Sequence, residues 1–217
     1  MEAKQAHNSK RDRYKPWFDF TVLILAHLLL LPIWVLLWTV IPLLIWLSDR
    51  GPVFYKQQRA GKNKRVFTLI KFRTMVLDAD LKGPAWTVAG DPRITPVGRL
   101  LRRTALDELP EVLNIWKREM SLVGPRALDV EEQRSLEESI PGFENRLQAA
   151  PGLTGLAQIY DRSDDANDKF RHDLSYLDRM SPWLDFKLLV LSVWNTFTAR
   201  WDQRQGKPFN VHTSPDE

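Results

Sequence analysis

Cysteine is absent from this 217-residue chain. Its absence excludes a disulfide framework, a thiolate metal site and a thiol nucleophile, and suits a domain facing a reducing compartment. Histidine is scarce. The four, His7, His27, His172 and His212, have no H-E-x-x-H or comparable spacing, which argues against a zinc enzyme. Neither a G-x-x-x-x-G-K-[ST] loop nor a G-x-G-x-x-G fingerprint occurs, so the usual phosphate cradles of ATPases and dehydrogenases are missing. No small-residue cleavage site follows a short apolar core, which argues against a cleaved signal peptide.

A chain of this length supports one globular core with appendages. It is 44% hydrophobic and 27% charged, yet the apolar residues are concentrated near the N-terminus. The net charge of +4 is modest, but Lys and Arg are clustered. Such clusters fit an anionic partner: lipid headgroups, phosphorylated substrates or nucleic acid.

Residues 17–47 are almost uninterruptedly apolar, with Asp19 near the start, His27 inside, and Pro32 and Pro42 interrupting the run. A membrane segment is expected. At about 1.5 Å per residue, about 20 residues cross a hydrocarbon core of about 30 Å, so roughly 30 exceed one span and fall short of two. Pro32 sits near the middle, where a missing N–H and a ring clash kink a helix, and each half is then expected to be too short to cross. Lys4, Lys10, Arg11, Arg13 and Lys15 precede the segment, and Arg50, Lys56, Arg59, Lys62, Lys64 and Arg65 follow it. The positive-inside tendency draws both ends to the cytoplasm. A re-entrant helix over 17–47 satisfies length and charge together; a tilted single span is the alternative.

The fold class read from the remainder is α+β and predominantly helical: a basic segment (1–16), the re-entrant helix, a cytoplasmic catalytic domain (48–202) with a small β-hairpin and interfacial helices, and a disordered tail (203–217). Extended runs at 53–58 and 65–73, joined by a turn at 60–63, predict the hairpin. Alternation puts Phe67, Leu69, Lys71 and Arg73 on one face, two cations side by side beyond an apolar patch, although a solvated strand face reads the same way. Residues 74–90 are irregular and suit a loop over a site. A helix from Pro96 carries Arg99, Arg102 and Arg103 on one side. Thr104 and Asp107 fit a capping box, with Pro110 in the first turn of a new helix. Residues 121–126 and 151–158 read as glycine-punctuated loops. Residues 170–201 have helical spacing and carry Trp183, Trp194 and Trp201, as membrane-interface helices do, although a core-facing stripe is the commoner cause.

The adjacent carboxylates Asp107 and Glu108 follow the arginine-rich helix. Alone they read equally as acidic residues complementing a helix dipole. Beside a cradle of Arg99, Arg102, Arg103, Arg126, Lys71 and Arg73, they suit a hard metal such as Mg²⁺, and a carboxylate there can act as a nucleophile and form an acyl phosphate. Two other readings share these residues: a membrane-tethered module binding anionic lipid or nucleic acid, and a Mg²⁺-dependent phosphodiesterase.

KFRTM at 71–75, ITPVGRLLRRTALDELPEVLNIWKREMSLVGPR at 94–126 and PGLTGLAQ at 151–158 resemble the bacterial sugar transferase family, the small monotopic phosphoglycosyl transferases. GPVFYKQQR at 51–59, and Asp173 to Tyr176 followed by Ser181 and Asp185, extend the likeness over residues 16–197. The resemblance implies an enzyme of the bacterial cytoplasmic membrane, active at its cytoplasmic face, that initiates polysaccharide or glycoconjugate assembly. It implies transfer of a sugar 1-phosphate from a UDP-sugar to polyprenyl (undecaprenyl) phosphate through a covalent aspartyl-phosphosugar, with release of UMP. Asp107 would be the nucleophile, and Glu108 with Asp107 would hold Mg²⁺. Lys71, Arg73, Arg99, Arg102, Arg103, Arg126, Thr154 and Gln158 would bind substrate. Membrane lipid is implied as a partner and nucleic acid is not; a homo-oligomer is compatible. The chain departs from the family pattern at Leu31, where Ser often precedes the proline, at Ala105 in place of Ser, and at Ala127 in place of Pro. The serine lost at 31 removes a hydroxyl that can satisfy carbonyls freed at a bend.

Overall fold

A computed structural model describes residues 12–79, 90–161 and 165–198. The helices are α1 (Lys15–Leu29), α2 (Leu31–Asp49), α3 (Pro96–Thr104), α4 (Val112–Trp116), α5 (Val130–Ser139), α6 (Leu156–Tyr160), α7 (Ala166–Arg179) and α8 (Pro182–Phe197). The strands are β1 (Phe54–Ala60), β2 (Val66–Phe72), β3 (Ser121–Val123) and β4 (Gly152–Thr154). Lys4, Lys10, Arg11, most of the 74–90 loop, Trp201 and the 203–217 tail lie outside the described residues.

The apolar N-terminal segment breaks where Pro32 predicts. Leu30 leaves helical geometry at φ −111° and ψ 21°, and Pro32 falls in the first turn of α2, where its missing N–H has no helical partner to lose. Pro42, by contrast, sits inside α2 without ending it. The second half therefore runs 19 residues to Asp49 and is by itself long and apolar enough to cross a membrane. This corrects the expectation that both halves are too short, which holds only for the 15-residue α1. At the bend the Trp34 indole donates to the Ala26 carbonyl at 3.2 Å and its ring stacks on His27 at 4.2 Å.

Both arms of this bent segment return to one globular body. Leu23 joins the main core with Leu122, Val123, Tyr176, Leu177 and Leu188. Ile41 and Ile45 of α2 form a second cluster with Phe72 and Leu101. Between these anchors Leu28, Leu29, Leu31 and Leu36 are exposed. The flanks also meet: Asp12, before α1, pairs with Lys62 in the hairpin turn. At the base of α1 a buried polar clasp fixes the helix to β3 and α8. Lys15 pairs with Asp185 at 2.8 Å and donates to the Val123 carbonyl and Tyr176 hydroxyl. Tyr14 donates to Asp185 at 2.7 Å, and Asp19 accepts from the Leu122 N–H at 3.1 Å. A charge this buried persists only when paired and hydrogen-bonded.

The hairpin is antiparallel, Phe54 opposite Phe72 and Ala60 opposite Val66, its strands displaced slightly from 53–58 and 65–73. Asn63 and Lys64 take left-handed conformations in its turn. Phe67 and Leu69 enter the main core while Phe72 faces the second cluster, as period-two alternation requires. The expected capping box does not form. Thr104 closes α3 instead, its hydroxyl donating back to the Leu100 and Leu101 carbonyls, and Ala105 ends the helix in the left-handed region at φ 53°. A 3₁₀ helix, Leu106–Glu111, then leads into α4.

The segments read as two loops are more regular than that. β3 and β4 pair in parallel, Gly124 N–H donates to the Thr154 carbonyl and Gly152 N–H to the Pro125 carbonyl, each at 2.8 Å. The backbones approach so closely that a Cβ on Gly152 would lie 2.0 Å from the Gly124 nitrogen. On α8, Asp185 and Leu188 face inward, whereas Trp183, Phe186, Val190, Trp194 and Phe197 are exposed. Trp183 and Trp194 therefore do not belong to a core-facing stripe.

Candidate active site

The 3₁₀ helix decides how the acidic residues are presented. With three residues per turn, i and i+3 eclipse and neighbours diverge by about 120°. Glu108 and Glu111 consequently face the same way, toward Lys71 on β2. The Lys71 ammonium lies 2.6 Å from Glu108 Oε1 and 3.1 Å from Glu111 Oε1. Arg126, on the turn after β3, approaches the same Glu108 oxygen at 3.6 Å and is half exposed. Among the described residues no side chain hydrogen-bonds or ion-pairs with Asp107. Arg59, Lys71, Glu108, Glu111, Arg126 and the backbone at Gly152 line a narrow cleft.

These placements pull the three carboxylates apart electrostatically. Burial pushes Asp107 above the usual carboxylate range, aided by the Glu108 charge and opposed by Lys71 and Arg102. Burial acts the same way on Glu108, but Lys71 and Arg126 outweigh it and hold that carboxyl below its ordinary value. Glu111 is pushed up to about 7 by burial and by Glu108, against the pull of Lys71 and Arg126. Lys71 is raised: burial would lower it, and Glu108 and Glu111 prevail. The oxygens of these carboxylates are hard donors in local excess over the two cations touching them. No group of three or more His, Asp or Glu among the described residues is arranged to hold a metal unaided.

The other expected residues are distributed unevenly. Arg102 faces inward, its Nε donating to Thr74 Oγ1 at 2.9 Å. Arg99 and Arg103 are exposed on α3. Arg73 does not stand with Lys71 as alternation predicts: it lies past the end of β2 and pairs with Asp49 at the end of α2. Thr154 is buried, with its hydroxyl accepting from Ser192 on α8 at 2.6 Å. The Gln158 amide is buried with no hydrogen-bond partner among the described residues.

Sequence reasoning missed Glu111 and Arg146. The first was discoverable from its i, i+3 relation to Glu108 once a 3₁₀ turn is assumed. Arg146 pins the Arg126 loop from beneath, donating to the Arg126 carbonyl at 2.7 Å, to Asp173 at 2.7 Å and to Gln133 at 3.0 Å. It carries no local signal, because its partners come from three separate parts of the chain.

Residues 10–199 match the bacterial sugar transferase family. The chain belongs to that family. It is 39% identical over 186 residues to an undecaprenyl-phosphate glucose phosphotransferase of Komagataeibacter xylinus, covering 81% of this chain and 34% of that protein. It is 40% identical over 168 residues to the exopolysaccharide production protein PSS of Rhizobium leguminosarum bv. phaseoli, covering 73% and 84% respectively. Against the UDP-glucose:undecaprenyl-phosphate glucose-1-phosphate transferase of Escherichia coli (strain K12) the identity is 36% over 184 residues, covering 82% of this chain and 39% of that protein. The chain thus spans about a third of the Komagataeibacter protein and most of the Rhizobium one.

Proposed function

We propose that the protein transfers a sugar 1-phosphate from a UDP-sugar to a polyprenyl phosphate, with Asp107 as the covalent carrier. The observation that carries this reading is the division between the neighbouring carboxylates: Glu108 is engaged by Lys71 and Arg126, while Asp107 is left without a side-chain partner beside Lys71 and Arg102. An Asp107 oxygen attacks the β-phosphorus, the bond to the α-phosphate oxygen breaks, and UMP departs with that oxygen. An oxygen of the polyprenyl phosphate then attacks the same phosphorus, releasing Asp107 as carboxylate and forming a polyprenyl diphosphate sugar. Lys71, Arg102 and Arg126 neutralise the phosphoryl oxygens, the main contribution expected of a protein to phosphoryl transfer. The carboxylate oxygens fit Mg²⁺, a hard cation that proteins commonly hold through one or two carboxylates. Glu108 and Asp107 would hold it, and it would supply charge neutralisation on the phosphates and leaving group.

The acceptor lipid fits the rest of the molecule. Both arms of the bent N-terminal segment pack on one body and its flanks pair through Asp12 and Lys62. This supports a re-entrant segment with the site at the cytoplasmic face, and the exposed aromatic stripe of α8 suits the membrane interface. The names of the relatives point to undecaprenyl phosphate as acceptor and to glucose phosphate among the groups moved. The test offers purified protein UDP-glucose, UDP-galactose or UDP-N-acetylgalactosamine, with and without undecaprenyl phosphate and Mg²⁺. Sustained UMP release that needs the lipid phosphate, with labelled sugar passing to the organic phase, is expected. Transfer to water alone would identify a phosphodiesterase, and no release with any donor would refute the reading.

A further inference from the structure

We propose that Glu111 is a positioning residue that keeps Lys71 seated in the site when Glu108 turns away from it. The inference rests on the transfer reading for its purpose and on geometry for its placement. Lys71 lies between two carboxylates that do not have equal work. Glu108 is 18% exposed and shares one oxygen between Lys71 and Arg126, whereas Glu111 is 5% exposed and, among the described residues, pairs with Lys71 alone.

In the reaction Glu108 has to face phosphate oxygens and their counter-ion, and so gives up part of its hold on Lys71. A largely buried ammonium left with no carboxylate would leave the cleft, because a buried charge persists only when paired. Glu111 prevents this. It lies one 3₁₀ turn further on, eclipsed with Glu108, so it reaches the same nitrogen from a more enclosed position. Nothing in the transfer itself requires a third carboxylate, which leaves the anchoring of Lys71 as the role its contact defines.

The test reads the Lys71 nitrogen directly. Full-length protein in detergent is treated with N-acetoxysuccinimide at fixed pH, and acetylation of each lysine is followed by peptide mass spectrometry, with exposed Lys64 as reference. In Glu108→Gln, Lys71 should be acetylated no more than about twofold faster than in wild type, because the charge-assisted bond to Glu111 persists. In Glu108→Gln with Glu111→Ala, the rate should rise about tenfold, the equivalent of one such bond lost. In Glu108→Gln with Glu111→Gln, an acceptor oxygen is restored and most of the protection should return. Acetylation of buried Lys15 reports unfolding. Should the alanine variant unfold, the glutamine pair decides: full exposure of Lys71 in Glu108→Gln alone overturns the proposal, as does equal labelling with Glu, Gln or Ala at position 111. The labelling requires no sugar nucleotide. Absence of turnover would therefore sink the proposed reaction and leave this placement standing, while Lys71 exposed in an active Glu108→Gln protein would do the reverse.

Discussion

Replacing Gly98 by alanine sets two physical effects against each other and the structure decides the sign. Gly98 lies in the first turn of α3, where alanine is intrinsically better by about 1 kcal/mol. Against this, a Cβ at Gly98 would stand 2.0 Å from the Thr74 carbonyl oxygen and 2.6 Å from its carbon, where ordinary contact begins at 3.4 Å. The obstacle is backbone, and Thr74 is tied in place by the Thr95 N–H at 3.0 Å. Relief requires moving the helix off the end of the hairpin. Overpacking of this kind costs typically about 1–3 kcal/mol, so Gly98→Ala should be destabilised by roughly 1–2 kcal/mol despite its better helix former. The same movement draws Arg102 from Thr74 and should slow UMP release. Urea denaturation in detergent, followed by circular dichroism, measures the first effect, and Arg99→Ala on the exposed face serves as a near-neutral control. A Gly98→Ala protein as stable as wild type would refute the close approach.

Three further outcomes follow from named contacts. Cysteines placed at Arg13 and at Lys62 in membrane vesicles should both react only from the cytoplasmic side; labelling from opposite sides would establish a spanning helix and remove the re-entrant reading. Lys15→Met strips the cation from a buried cluster and should cost about 3 kcal/mol, part of it regained when Asp185→Asn is added; a neutral single variant would show that the clasp is not holding α1. Glu111, pushed up to about 7 from 4.5, keeps a proton in the folded state that the unfolded chain releases, so it lowers stability as pH rises across that window. Glu111→Gln should flatten this loss and stabilise the protein by up to about 3 kcal/mol above the window. Parallel wild-type and variant curves in denaturation from pH 4 to pH 8 would contradict it.

The sequence revealed features whose cause is local. Pro32 breaks the apolar segment, and alternation places Phe67 and Leu69 inward. Contacts between distant segments stayed hidden. β3 and β4 are three residues each, too short for periodicity to register, and their parallel pairing joins segments separated by α5. The capping box failed because Thr104 had a nearer partner in its own helix, and Ala105 adopted a conformation more usual for glycine. Arg73 looked like a companion of Lys71 because alternation ignores where a strand ends. One residue past that end, Asp49 was within its reach. Glu111 was hidden because its partner Lys71 comes from a strand distant in the chain, and the i, i+3 spacing to Glu108 alone does not say what the two carboxylates face.

A phosphosugar carried on Asp107 requires one turnover without any acceptor. With a productive UDP-sugar and Mg²⁺ but no polyprenyl phosphate, UMP should appear in a burst no larger than the amount of enzyme, and intact mass should rise by one phosphosugar. Fragmentation should map the addition to the peptide holding Asp107. Asp107→Asn should abolish burst and adduct together, whereas Glu108→Gln should slow the burst without moving the attachment. An Asp107→Asn protein that turns over near the wild-type rate, with its asparagine verified intact, would contradict the account and establish direct transfer to the lipid phosphate.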